Sequence, residues 1–389
     1  MEVRTDADRI LEQAVEKGAA AGVVAVAGDQ RGVVYEGAFG LRAAGGSTQM
    51  TADTVFWMAS MTKAVTSVAA LQQVEHGRLS LDEPISNVLP ELKEPRVLEG
   101  FDQDGQPRLR AARRPITLRM LLTHTAGFTY DIWNPDMGRF MAHAEIPGII
   151  ECKNVTLGTP LVFEPGERWE YGISLDWAGK AVEKVSGRSL EDYFKAYLFG
   201  PLEMRDTGFL IGPSQRARLA TMHARMPDGT LAPIEFELTQ TPEFFMGGGG
   251  LYATAGDYLT FLRALLNGGT LNGVRILSAE MVAEMNRNHI GDLEVTKLVT
   301  AIPGSSNDAE FFPGMSKKWG LAYMISTGET ESGRSADSVT WAGLGNTYYW
   351  LDPKAKLAGV IATQILPFAD PQVLDMFGAW EKAIYSAQK

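Results

Sequence analysis

Two sets of strand signatures, one at each end of the 389-residue chain, constrain its fold more than any other feature. Residues 22–29 and 32–40 read as two strands joined by Gln30-Arg31, a connection short enough for a hairpin. Far downstream, strands are expected near 319–326, 337–342, 346–352 and 357–365. Strands joined by short turns pair antiparallel, because a parallel pair needs a long crossover. Between these ends, residues 78–245 are Pro-punctuated and mostly helical. Helices are expected there at 117–122, 136–144, 174–186 and 189–198, with strand character only in a small hairpin near 98–112. Further helices are expected at 7–17, 255–267, 278–286 and 371–387. The order is not an alternating βαβ one, so a doubly wound parallel sheet is disfavoured. The expected class is α/β of the α+β kind: a central antiparallel sheet built from both ends, flanked by helices, with a mostly helical second lobe. Residues 1–77 and 246–389 would form the sheet domain and residues 78–245 the helical one.

Charge narrows the partners. A net charge of −11 argues against a nucleic-acid or anionic-membrane surface. The one basic cluster, Arg108, Arg110, Arg113 and Arg114, lies between Pro107 and Pro115 and reads as a solvated hairpin or loop instead of a binding patch. The longest apolar stretch, 19–28, is too short to cross a bilayer. No secretory leader pattern opens the chain and Cys152 is the single cysteine, so a reducing, cytoplasmic setting is the simplest expectation. His76, His124, His143, His223 and His289 show no ligand spacing, and neither a metal nor a cofactor is expected. His124 is placed to brace a loop at the cleft. The run Gly247–Gly250 is not followed by Gly-Lys-Ser/Thr, so it is read as backbone passing close to the cleft or to another strand, not a phosphate loop. A G-x-S-x-G elbow is absent, since Gly172-Ile173-Ser174-Leu175-Asp176 lacks its last glycine.

The chemistry-bearing element is Ser60-Met61-Thr62-Lys63, at the start of a segment that reads as a helix ending near Gly77. Residues three apart share a helix face, so the Lys63 amine can reach the Ser60 hydroxyl. A serine is a poor nucleophile until a neighbouring base takes its proton, and a desolvated amine can be that base. The element is common by chance, and a solvated Ser and Lys is its bland reading. Two further stretches add to it. Glu164-Pro165-Gly166 precedes Tyr171 just ahead of a helix, where a buried, satisfied phenol is the ordinary reading. Trp341-Ala342-Gly343 ends a strand, and Gly343 would let a backbone approach a ligand closely.

Ser60/Lys63, Tyr171 and Trp341-Ala342-Gly343, in this order, resemble the serine β-lactamase and penicillin-binding-protein fold family, and within it the family VIII carboxylesterases. Leu121–Gly127, Pro201–Met204 and Gly247–Asp257 fit the same branch, so the resemblance runs from about residue 10 to 385. It implies an α/β domain and a helical domain with the cleft between them. It implies Ser60 as nucleophile and Lys63 with Tyr171 as proton relay, either serving as base. The backbone N–H groups of Ser60 and Leu344 would form the oxyanion hole, with Trp341 and Gly343 on the adjoining strand. Tyr130 resembles a pocket tyrosine of this branch.

Two departures from the β-lactamase pattern shape the substrate expectation. Trp341 stands where those enzymes carry a lysine, offering an apolar face and one N–H donor in place of a cation. Ile173 stands where an asparagine amide is usual. Both favour a neutral ester over a carboxylated lactam. Trp133, Phe128, Phe244, Phe245 and Trp319 are candidates for an acyl pocket, though aromatics are as often plain core. The expected activity is short-chain carboxylic ester hydrolysis through an acyl-Ser60 intermediate, with a small-molecule ester as partner. Acyl transfer or weak β-lactam or D-amino peptide hydrolysis at the same site is the alternative. A silent binding protein of the same fold is the non-enzyme alternative.

Overall fold

A computed structural model of the protein describes residues 2–388. Helix α1 (Glu2–Glu16) comes first, followed by the hairpin β1 (Gly22–Asp29) and β2 (Val33–Gly40). Strand β3 (Val55–Trp57) leads through a single 3₁₀ turn, Ala59–Met61, into α2 (Thr62–Glu75). The middle of the chain holds the hairpin β4 (Arg96–Phe101) and β5 (Pro107–Ala111), then α3 (Leu118–Leu122), α4 (Pro135–His143), α5 (Asn154–Leu157), α6 (Ser174–Ser186), α7 (Leu190–Phe194) and α8 (Pro213–Arg216). Next come β6 (Met222–Arg225), β7 (Leu231–Ile234), β8 (Tyr252–Thr254), α9 (Ala255–Leu266), β9 (Thr270–Leu271), β10 (Val274–Arg275) and α10 (Ala279–Met285). The chain closes with β11 (Lys317–Trp319), β12 (Met324–Ser326), β13 (Val339–Gly343), β14 (Thr347–Asp352), β15 (Leu357–Ala362), β16 (Ile365–Leu366) and α11 (Pro371–Ser386).

Helix starts follow local chemistry. Thr117, Asn134, Ser189, Thr254, Ser278 and Asp370 each accept a backbone N–H of the first turn through their side chains. Pro135 and Pro371 sit just inside α4 and α11, where no N–H is needed.

The main sheet has the order β11-β12-β13-β14-β15-β1-β2, with antiparallel pairing throughout. β1 pairs with β15 from Val24↔Ala362 to Asp29↔Leu357, so the two ends of the sequence share one sheet. Because both sheet faces are covered, β13, β14 and β15 are buried along their whole lengths. Helix α9 lies against β1 and β15, while α1 and α11 pack together. Tyr348 and Trp350 of β14 stack against Phe377 and Trp380 of α11. Helix α2 is buried from Thr62 to Gln73, enclosed by other elements although it carries Thr62, Lys63, Thr66, Ser67, Gln72 and Gln73 among its apolar residues.

The expected antiparallel α+β class is the one observed. Three local expectations are corrected. The stretch expected as one strand at 319–326 is two strands, β11 and β12, with the chain reversing at 320–323. The expected strand at 357–365 ends at Ala362, and Ile365–Leu366 leaves it to join another sheet. Residues 222–234, read as lacking strand character, supply β6 and β7 of that three-stranded sheet.

Candidate active site

Sequence-local geometry sets the position of Ser60. Ala59 adopts φ +45°, a left-handed conformation costly for a residue with a Cβ, and it turns the chain sharply between β3 and α2. Ser60 follows on that turn. The β3–β8 ladder ties β3 to the strand that follows the Gly247–Gly250 run, and side chains on either side of the turn bond to that run and to Leu251. Trp57 Nε1 donates to the Gly249 carbonyl at 2.7 Å, and the Thr62 hydroxyl accepts from Leu251 N at 3.0 Å. On the other side β13 packs onto the turn. A Cβ on Gly343 would lie 2.3 Å from the Met58 carbonyl, so glycine is needed for strand to meet turn. The close approach expected of Gly343 is therefore to the protein's own backbone.

Lys63 is only 1% exposed and its amine donates three hydrogen bonds: to Ser60 Oγ at 3.1 Å, Tyr130 OH at 3.1 Å and the Gly248 carbonyl at 2.6 Å. It also lies over the Tyr171 ring, 4.5 Å from the centroid. Burial lowers its pKa to about 7, partly opposed by the negative charge of Asp176. Tyr171 is buried, with Ser60 and Trp341 as its hydrogen-bonding neighbours. The indole Nε1 of Trp341 donates to its hydroxyl at 2.9 Å. Burial pushes the Tyr171 phenol up, more than those two bonds pull it down, so it stays protonated at neutral pH. Tyr130 is likewise pushed well up by burial.

The hydroxyl, the amine and the phenol expected to act together thus converge, and Tyr130 joins them as a direct partner of the amine. Trp341 differs from its expected role, because its N–H is taken by Tyr171 instead of being offered to a ligand. Leu344, directly after β13, lines a cavity of about 40 Å³ with Ser60, Tyr130, Trp57, Ile132, Ile149 and Met246. Of the five aromatics considered for an acyl pocket, only Trp133 lines this cavity. Phe128 stacks on Trp177, Phe245 packs on Phe209, Phe244 is buried, and Trp319 is sealed against Trp341 with its N–H on the Leu122 carbonyl. A second, wider cavity of about 450 Å³ opens on the far side of Trp133 and Tyr171, lined by Asn134, Arg168, Glu170 and Lys297 among others.

His124 does brace the loop. Its Nδ1 accepts from Gly172 N at 3.3 Å, its carbonyl accepts from Glu170 N at 3.0 Å, and its ring packs 4.7 Å from Tyr171. Burial drives its pKa well down, so it is a neutral ring. One buried acid beside these groups escaped the sequence reading. Asp176, on the first turn of α6, is fully buried beside the lysine, and burial raises its carboxyl pKa to about 6. Its only sequence signal is the helical register that puts it one turn past the Tyr171 loop. Among the described residues no three His, Cys, Asp or Glu side chains gather into a cation cage, and no helix is long and apolar enough to cross a membrane.

Known proteins resemble this chain along most of its length. A lovastatin esterase of Penicillium rubens is 33% identical over 97% of this chain and 97% of its own length. A monacolin J acid methylbutanoyltransferase of Aspergillus terreus is 33% identical over 86% of this chain and 82% of its own. Among solved structures, the LovD6 mutant of simvastatin synthase from Aspergillus terreus superposes with a TM-score of 0.85 at 30% identity, covering 100% of this chain and 95% of that one. A family model described as Beta-lactamase matches residues 7–379, and the chain belongs to the beta-lactamase family.

Proposed function

We propose that the protein is a serine carboxylesterase that works through an acyl-Ser60 intermediate. The observation that carries this reading is the buried Lys63 amine, held on Ser60 Oγ by two other anchors, Tyr130 OH and the Gly248 carbonyl. With its pKa near 7, a substantial share of Lys63 is free amine at neutral pH. That amine takes the Ser60 proton as Oγ attacks the ester carbonyl carbon. The backbone N–H groups of Ser60 and Leu344 hold the developing oxyanion. Tyr171, still a phenol, is the acid of the pair and passes its proton to the departing alkoxide, then takes back the proton that Lys63 gained from Ser60, so the acyl-enzyme forms with the amine and the phenol both neutral again. Water then enters by the reverse sequence, releasing the acid and free Ser60.

The cavity beside Ser60 limits the substrate. About 40 Å³ accommodates roughly three water-sized groups, which fits a short acyl chain against Trp57, Ile149 and Met246. The wider cavity past Trp133, lined by apolar as well as charged side chains, fits the alcohol portion, and this favours a second reading: acyl transfer to an alcohol bound there. The relatives named above include both an esterase and an acyltransferase.

Ser60→Ala should lower hydrolysis of short-chain esters by about a million-fold, as deletion of a serine nucleophile does elsewhere. An acyl phosphonate should add its mass to Ser60 of the parent protein. Near-parental turnover by Ser60→Ala would overturn the assignment. Including a competing alcohol and comparing new ester with free acid separates transfer from hydrolysis.

A further inference from the structure

Asp176 is a buried charge to which the chemistry above gives no part. It is 0% exposed. Its Oδ1 accepts from Gly248 N at 2.8 Å, while Oδ2 has no hydrogen-bonding partner. Gly248 is also the residue whose carbonyl accepts from Lys63 at 2.6 Å. One glycine is therefore gripped from both sides, by a carboxylate on its N–H and by the amine on its carbonyl. The grip leaves no spare room. A Cβ on Gly248 would lie 2.6 Å from Asp176 Oδ2 and 3.1 Å from Tyr130 OH.

The ordinary role for an acid on the first turn of a helix is to complement the helix dipole. An exposed acid does that at little cost. Asp176 is out of water, where an ionised carboxylate carries a desolvation penalty of several kcal/mol. An asparagine of the same shape could accept from Gly248 N without that penalty, so the contact alone does not explain a carboxylate here. The remaining difference between the two side chains is charge, and the nearest opposite charge is Lys63.

Building on the acyl-Ser60 reading, we propose that Asp176 is the positioning residue of the lysine base. Its carboxylate fixes the Gly248 carbonyl under Lys63, and its negative charge stabilises the ammonium formed when Lys63 takes the Ser60 proton. In that step the Ser60 O–H bond breaks, a Lys63 N–H bond forms, and the oxygen pair attacks the carbonyl carbon. Other titratable groups face this pair: Tyr130, Tyr171 and Cys152 around Asp176, and His124 beside Lys63. The two phenols and the thiol are all pushed up by burial and the imidazole is pushed down. Lys63 and Asp176 are left as the groups that titrate together near neutrality.

The test is the pH profile of kcat/KM for a short-chain ester, measured with Asp176→Asn and Asp176→Ala, thermal melts confirming that each folds. Asn keeps the Gly248 contact and removes the charge, so the acid limb should move to lower pH by about one unit or more. Ala also releases Gly248 and should lower kcat further at every pH. An Asn profile that superimposes on the parent's overturns the proposal. Should neither variant fold, ¹³Cε-lysine NMR of the unmutated protein decides. The Lys63 resonance must titrate in two steps, because its neighbour's charge changes over the same range. A single step at the ordinary lysine pKa overturns it. Ser60 labelling by phosphonate is independent of these readouts, so failure of the nucleophile assignment would be seen separately.

Discussion

The Trp341 indole directs its one N–H at the Tyr171 hydroxyl, and in the proposed mechanism it would tune the acid of the relay. Trp341→Phe keeps the packing on Trp319 and Phe311 but removes that donor. A hydrogen bond to a developing charge is worth about 1.5–3 kcal/mol, which predicts a kcat lowered about ten- to a hundredfold. KM should change little, and steady-state kinetics with one ester gives both numbers. At this scale the sequence was informative where spacing is local. Ser60 and Lys63 are three apart, so helix geometry alone brings them together. Asp176 was not legible, because a lone acid at a helix start has a ready explanation in the dipole. Its role depends on Gly248, which lies 72 positions away and reaches it only through tertiary folding.

Among elements, the contact between β13 and the turn before α2 decides how well Ser60 is held. Gly343→Ala would put a methyl against the Met58 carbonyl and Thr347 Oγ1, both 2.3 Å from the new Cβ. The strand must back away from the turn. Overpacking of this kind costs about 1–3 kcal/mol, read as a lower midpoint in urea, and kcat/KM should fall more steeply because Ser60 rides on the displaced turn. Element prediction from the sequence failed where polarity or proline masks a strand. β6 carries His223 and Arg225, and β7 carries Pro233, which counts against a strand on its own. Gly320 let β11 and β12 read as one strand, although it supports a reversal. A Cβ on it would lie 2.1 Å from the Met285 carbonyl.

For the molecule as a whole, α11 is fastened to the sheet by an ion pair inside the protein. Arg334, between β12 and β13, donates to both carboxylate oxygens of Glu381, and each residue is 2% exposed. The guanidinium also lies over the Trp350 and Phe377 rings. Glu381→Ala leaves that cation buried and alone, which should cost about 3–5 kcal/mol in denaturant unfolding. The double change Arg334→Met with Glu381→Leu removes both charges and should recover most of the loss. The antiparallel sheet was legible from the hairpins at both ends, whereas this pair was not, since nothing local links a loop arginine to a helix glutamate 47 positions on. The β1–β15 seam carries one last consequence. Val24 waits for Ala362, 338 positions later (362 − 24), and the shelf under Ser60 ends only at Gly343. A growing chain on the ribosome would thus carry Ser60, Lys63 and both phenols once residue 171 is made, yet leave them without their final seat until residues 343–362 have emerged.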